Sequence, residues 1–165
     1  MHGHKFRVLL GEHDRGVKVL AMPEAVLREL PRQFREQLES AASKVQKGAN
    51  TLRDLGIDLG ELPIPATQLA SGRYERRLRE ALAARNVPIE PIPDRKVEEF
   101  FDAANARRRP FGLEGKGLKD AVIWRTVLDL AKQGEVILIS NDGDFEGDSP
   151  NQLHDHLRED LEVVP

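Results

Sequence analysis

Four consecutive large aliphatics, Val136-Ile137-Leu138-Ile139, follow closely on Gly134, and no other feature of the chain limits its fold as much. A run of this kind marks a strand covered on both faces, as in a parallel sheet. Upstream, Leu118 to Lys132 carries the strongest helical pattern in the chain, with Ala121, Val122, Trp124, Val127, Leu128 and Ala131 apolar and Gly134 as its natural stop. Helix, tight turn and central strand form the repeating unit of a layered α/β fold, because parallel strands need a crossover that is usually helical. Beyond the strand, Ser140 to Pro150 is polar and turn-forming, Gln152 to Asp160 reads as a short helix, and Leu161 to Val164 as an edge strand.

The upstream half is mostly helical. Phe6, Leu9 and Leu10 keep helical spacing as far as Gly16, so this stretch reads as a short helix, with a strand as the alternative. Val17 to Met22 is a compact, valine-containing run that reads as a strand, and Pro23 then opens a helix with Glu24 behind it to meet the dipole. From Pro31 to about Asn86 the chain is charged and helical, with Phe34, Leu38, Ala42 and Val45 spaced by three or four, so two or three helices are expected there. Leu62-Pro63-Ile64-Pro65 interrupts them, and Thr67 is placed to cap the next helix, whose stripe is Leu69, Tyr74, Leu78 and Leu82. Val87 to Asp94, with three prolines, reads as an extended connector, and Val97, Phe100, Phe101 and Ala104 mark a further helix. No internal repeat is present, and 165 residues suit one domain that buries roughly 70% of its unfolded surface.

Composition removes several classes of function. Without cysteine there are no disulfides, thiolate metal sites or thiol nucleophiles, which fits a reducing cytoplasm. No apolar run approaches the ~18 residues of a membrane span, so no membrane partner is expected. The net charge is only −3 while 32% of residues are charged, so electrostatics must be read locally.

The local reading leads to the loop after the aliphatic run. In an open parallel sheet, ligands gather beyond the carboxyl ends of the strands. There the run delivers Ser140-Asn141-Asp142-Gly143-Asp144-Phe145. Two carboxylates one residue apart offer the hard oxygen donors that Mg²⁺ and Mn²⁺ prefer, although an Asp-Gly turn alone has the same look. Asp120 opens the preceding apolar helix, where it also suits the positive end of the dipole. Helix and strand run antiparallel, so Asp120 and Asp142 can meet across one crevice. Glu29, on the helix after the upstream strand, is a third candidate acid, although alone it reads as a surface glutamate. Arg107, Arg108, Arg109, Lys116 and Lys119 flank this region in sequence and supply charge for phosphates.

Lys119-Asp120-Ala121-Val122-Ile123-Trp124, a helix, and then the run ending Ser140-Asn141-Asp142-Gly143-Asp144-Phe145 resemble the second half of PIN domains, in particular a bacterial PIN-like group with a helical insertion. Ser140, Asp142 and Phe145 match that family's Thr/Ser-x-Asp-x-x-Phe segment, and Glu29 matches its acidic helix residue. The resemblance implies one PIN-like α/β domain over residues 1–165: three layers, a central mainly parallel sheet flanked by helices, and an all-helical insertion at about 31–86. It implies a metal-dependent ribonuclease whose Glu29, Asp120, Asp142 and Asp144 hold Mg²⁺ or Mn²⁺. Ser140, Asn141, Arg107, Arg108, Arg109 and Lys119 would bind the substrate. RNA, an antitoxin-like protein and a second copy of the chain are the partners it suggests, in the cytoplasm.

One departure is plain. The family's opening strand ending in Asp has no counterpart before the first helix, and Glu12 and Asp14 fall at that helix's end. Two further readings follow, a catalytically impaired interaction module and an active domain whose first strand lies upstream of the given start. Other metal motifs are weaker. Asp142 to Leu153 has acids where a calcium loop has them, but Leu153 stands in place of the bidentate Glu. His154 and His156, two apart on a helix, point to different faces and read as surface histidines.

Overall fold

The computed structural model describes residues 3–16, 19–57, 59–60, 66–112, 116–140, 142–149 and 152–164, with backbone alone for 3–7 and 67–69. The chain divides into two units, one of residues 1–22 with 26–88 and the other of residues 23–25 with 89–165.

In the first unit, α1 (Gly3–Asp14) is the helix expected before Gly16, which takes a φ of +69° just past its end. α2 (Glu24–Asp54) starts immediately after Pro23, as its sequence suggests. It then runs unbroken through Pro31, into the stretch where two or three helices were expected. A proline removes one backbone hydrogen bond, but the burial of Leu27 outweighs that loss here, with Leu82 and Val87 closing over it. α2 ends in a Schellman turn, with Gly56 N–H donating to Arg53 O at 2.8 Å and Ile57 N–H to Leu52 O at 2.9 Å. α3 (Thr67–Ala83) has Ala66 as its N-cap, so Thr67 is its first residue and not its cap. Phe34 of α2 stacks on Tyr74 of α3 with centroids 4.5 Å apart, and Ser71 Oγ donates to Pro31 O at 2.9 Å. The break expected at 62–65 lies outside the described residues.

Strand content is small. β1 (Met22–Pro23) and β2 (Ile89–Glu90), two residues each, pair with one another, which places a short strand in the connector expected at 87–94. The expected strand at 17–22 shrinks to its end, because Val19 lies exposed and residues 17 and 18 are outside the described set. The α/β character is thus present in coarse form.

The second unit contains α4 (Val97–Asn105), α5 (Leu118–Ala131) and α6 (Asp155–Glu162). Its core is Trp124, Val127, Leu128, Phe145 and Leu157. Two expected strands are corrected here. Val136 to Ile139 is extended, but it has no ladder partner among the described residues, and it is not covered on both faces. Val136 and Leu138 pack on the core, while Ile137 and Ile139 are 58% and 59% exposed, an alternation that buries one face only. The terminal edge strand is absent because α6 continues through Leu161 and Glu162, which lets Leu161 pack on the core from a helix. α6 also starts later than expected, at Asp155, with His154 as N-cap.

Candidate metal centre

Two turns and one helix end build the site. α4 stops in a Schellman turn in which Arg107, at φ +49°, donates to Ala104 O at 3.0 Å and Arg108 N–H donates to Ala103 O at 2.9 Å. That turn sends Arg108 and Arg109 in different directions. The Arg108 guanidinium reaches α6, meeting Asp160 at 3.0 Å, Glu159 at 3.1 Å and His156 O at 3.2 Å. Burial lowers its pKa, but Asp160 and Glu159 more than offset this, so the charge is held firmly. Arg109 binds Asp144 through its side chain, while its backbone N–H donates to His156 Nδ1 at 3.2 Å.

Gly112 N–H donates to Lys116 O at 2.8 Å, and Gly117 caps α5 with a φ of +119°. A Cβ at Gly117 would stand 2.3 Å from Pro110 O, so only glycine lets the chain pass Pro110 and enter the helix. Asp120 follows in the first turn of α5 and meets the dipole as the sequence suggests.

The opposite wall is the loop after the extended run. Ser140 Oγ accepts from Asp142 N–H at 3.0 Å, and Asp142 Oδ1 accepts from Asp144 N–H at 3.0 Å. These short side-chain-to-backbone bonds fold the loop without sheet support. Phe145 anchors it in the core beside Trp124.

The result is that one carboxylate oxygen from each of Asp120, Asp142 and Asp144 lies within 4.8 Å of the other two. Oxygens around one Mg²⁺ at about 2.1 Å stand at most about 4.2 Å apart, so small side-chain rotations close this set on a single ion. Three hard carboxylate donors with no nitrogen or sulfur suit Mg²⁺ or Mn²⁺. Asp142 is exposed, and Asp120 and Asp144 are half-buried, which leaves one side open to a substrate.

The other expected residues are placed as follows. Glu29 belongs to the first unit, where it accepts from Arg32 at 2.7 Å, and it is not among the three clustered acids. Lys119 and Arg107 are exposed, Arg108 is engaged with α6, Ser140 is used in the loop, and Asn141 lies outside the described residues. The histidine pair differs from the surface reading. His154 and His156 are half-buried with rings 4.8 Å apart, and the Nδ1 of each accepts a backbone N–H, that of His156 and that of Arg109 respectively. His156 and Asp160 therefore support the arginine run, a role sequence spacing gave no way to see.

Residues 2–145 match the family model described as PIN domain. The chain belongs to the PIN domain family. PIN domains are typically nucleases and generally use a divalent metal, which agrees with the donor set just described. No curated protein and no solved structure matches the chain.

Proposed function

We propose that the protein is a Mg²⁺- or Mn²⁺-dependent endoribonuclease whose centre is Asp120, Asp142 and Asp144. The approach of their three oxygens to within 4.8 Å carries this reading. The ion, when bound, supplies Lewis-acid activation of water and stabilises charge on the phosphate. Asp120, Asp142 and Asp144 would hold it, with Asp120 in the first turn of α5. Arg109 neutralises part of the acidic charge before the ion arrives and is then positioned to meet a substrate phosphate, with Lys119 and Arg107 adding contacts that give affinity without base choice. Glu29 belongs to this proposal as a fourth ligand through the family pattern alone. So do the single three-layer domain with its helical insertion at about 31–86, an antitoxin-like partner, a homodimer and a cytoplasmic setting.

The test is cleavage of a labelled RNA with and without Mg²⁺ or Mn²⁺. Cleavage is expected only with the ion, EDTA stops it, and Asp120→Asn or Asp142→Asn lowers it by at least about a hundredfold while thermal unfolding stays cooperative. Undiminished cleavage in both variants refutes the site. A second reading, an RNA- or protein-binding module without catalysis, is favoured by the Arg109 pair, which already supplies Asp144 with a cation. RNA binding with no cleavage at any ion concentration would select it.

A further inference from the structure

Beside the acidic cluster, and inside the same unit, lies a cavity of about 400 Å³ that the metal reading does not use. Its walls include Phe100, Ala103, Pro110, Phe111 and Trp124. Its polar groups include Glu99, Asp102 and Arg125, whose charged ends have no ion-pair or hydrogen-bond partner among the described residues. Arg109 also lines it and is the residue bound to Asp144, while Ala121 of the wall adjoins Asp120 in sequence. Aromatic and aliphatic walls with a few polar groups free to bind at the edge are the usual make-up of a small-molecule site. An apolar slot one arginine away from a phosphodiester centre has a natural occupant, a base attached to the phosphate that Arg109 meets.

We infer that this cavity receives a nucleobase next to the scissile phosphate, and that guanine matches it best. The inference rests on the nuclease reading for its neighbour but not for its own chemistry. Trp124, Phe111 and Pro110 are almost wholly buried, so a flat base stacks on the half-buried Phe100, which any base can do. Discrimination comes from the edge. Guanine alone offers two acceptors, N7 and O6, to an arginine fork, and two adjacent donors, N1–H and N2–H, to a carboxylate. Arg125 supplies the fork, and Glu99 and Asp102 supply the carboxylates. Uracil lacks the exocyclic amine, and cytosine and adenine lack the paired donors, so each makes fewer charge-assisted bonds with the exposed Glu99 and Asp102.

Trp124 is the sole tryptophan of the chain and forms part of the wall, so its fluorescence reports on the cavity. GMP, AMP, CMP and UMP are titrated into the full chain without divalent metal, with excitation at the red edge of the tryptophan band. Saturable quenching is expected, with GMP binding at least about tenfold tighter than CMP or UMP. Ala103→Phe, which fills the slot, should remove it, and Arg125→Gln should weaken GMP about tenfold while leaving UMP unchanged. Asp142→Asn should bind GMP like the parent protein even where it cannot cleave, so loss of the nuclease reading and loss of this one are told apart. Absence of saturable quenching overturns the cavity assignment, as does GMP binding that is unaffected in both Ala103→Phe and Arg125→Gln. Equal affinity for all four nucleotides overturns the choice of guanine. Should Ala103→Phe unfold, Arg125→Gln carries the test alone.

Discussion

Gly117→Ala separates two opposite physical expectations. Where a glycine has an ordinary conformation, alanine stabilises a protein by about 0.4–1 kcal/mol by restricting the unfolded chain. Gly117 has φ +119° and ψ 7°, a region nearly closed to other residues, which costs about 1–3 kcal/mol to occupy. The new Cβ would also meet Pro110 O at 2.3 Å, Pro110 C at 3.0 Å and Phe111 Cα at 3.1 Å, all of them backbone atoms that cannot rotate away. Forcing such an overlap adds about 1–3 kcal/mol, so the net loss is about 2–5 kcal/mol. For a chain of this length that lowers Tm by about 5–15 °C. Urea unfolding followed by Trp124 fluorescence measures it, and a Mg²⁺ titration of the folded variant should show weaker binding, since Asp120 lies three residues further on. Stability within 0.5 kcal/mol of the parent, or any gain, would refute the argument that Gly117 is fixed by geometry.

Three other outcomes are expected. Trp124→Phe removes the bond from Nε1 to Asp160 Oδ2 at 2.9 Å and leaves space in the core, for a loss of about 2–4 kcal/mol by chemical denaturation. Arg107→Gly relieves a positive φ at the end of α4 and should raise stability by up to about 1 kcal/mol, while reducing RNA affinity if the exposed guanidinium meets phosphate. Burial tends to raise the pKa of Asp129, but Lys132 and Arg95 outweigh it and hold that pKa below the usual carboxylate value. Stability from this depressed pKa is present above the unfolded value of about 3.9 and is lost as pH falls through the folded one. The gap in Tm between the parent and Asp129→Asn should therefore close below about pH 4.

The acidic loop was legible because its order is local. Ser140, Asp142 and Asp144 form their turn from bonds spanning two residues, so the pattern of residue types carries the geometry. Asp120 was legible for a related reason, since a helix start is marked by its own residues, here Gly117 and the first turn. The strands were not. Val136 to Ile139 reads as a doubly covered strand because four aliphatics in a row satisfy that pattern, yet whether Ile137 and Ile139 are covered depends on distant chain. Leu161 has equal reason to be strand or helix in isolation, and α6 claims it because the helical register brings it to the core beside Leu157.

The arginine run shows why three like charges in sequence need not act alike. Arg107 is turned out by its left-handed backbone, Arg108 is held between Asp160 and Glu159, and Arg109 is held on Asp144. Asp160 also accepts from the buried Trp124, so the core fixes Asp160, Asp160 fixes Arg108, and the next residue presents its charge to the acidic loop. His156 closes the same arrangement by accepting the Arg109 N–H. A solvated basic loop would lose side-chain entropy on meeting a substrate, whereas Arg109 is already held on Asp144 and, in the proposed function, would exchange it for a phosphate. On the proposed reading, a divalent ion held by Asp144 would release Arg109 to a phosphate, so ion binding and phosphate binding would be coupled through one side chain and each would strengthen the other.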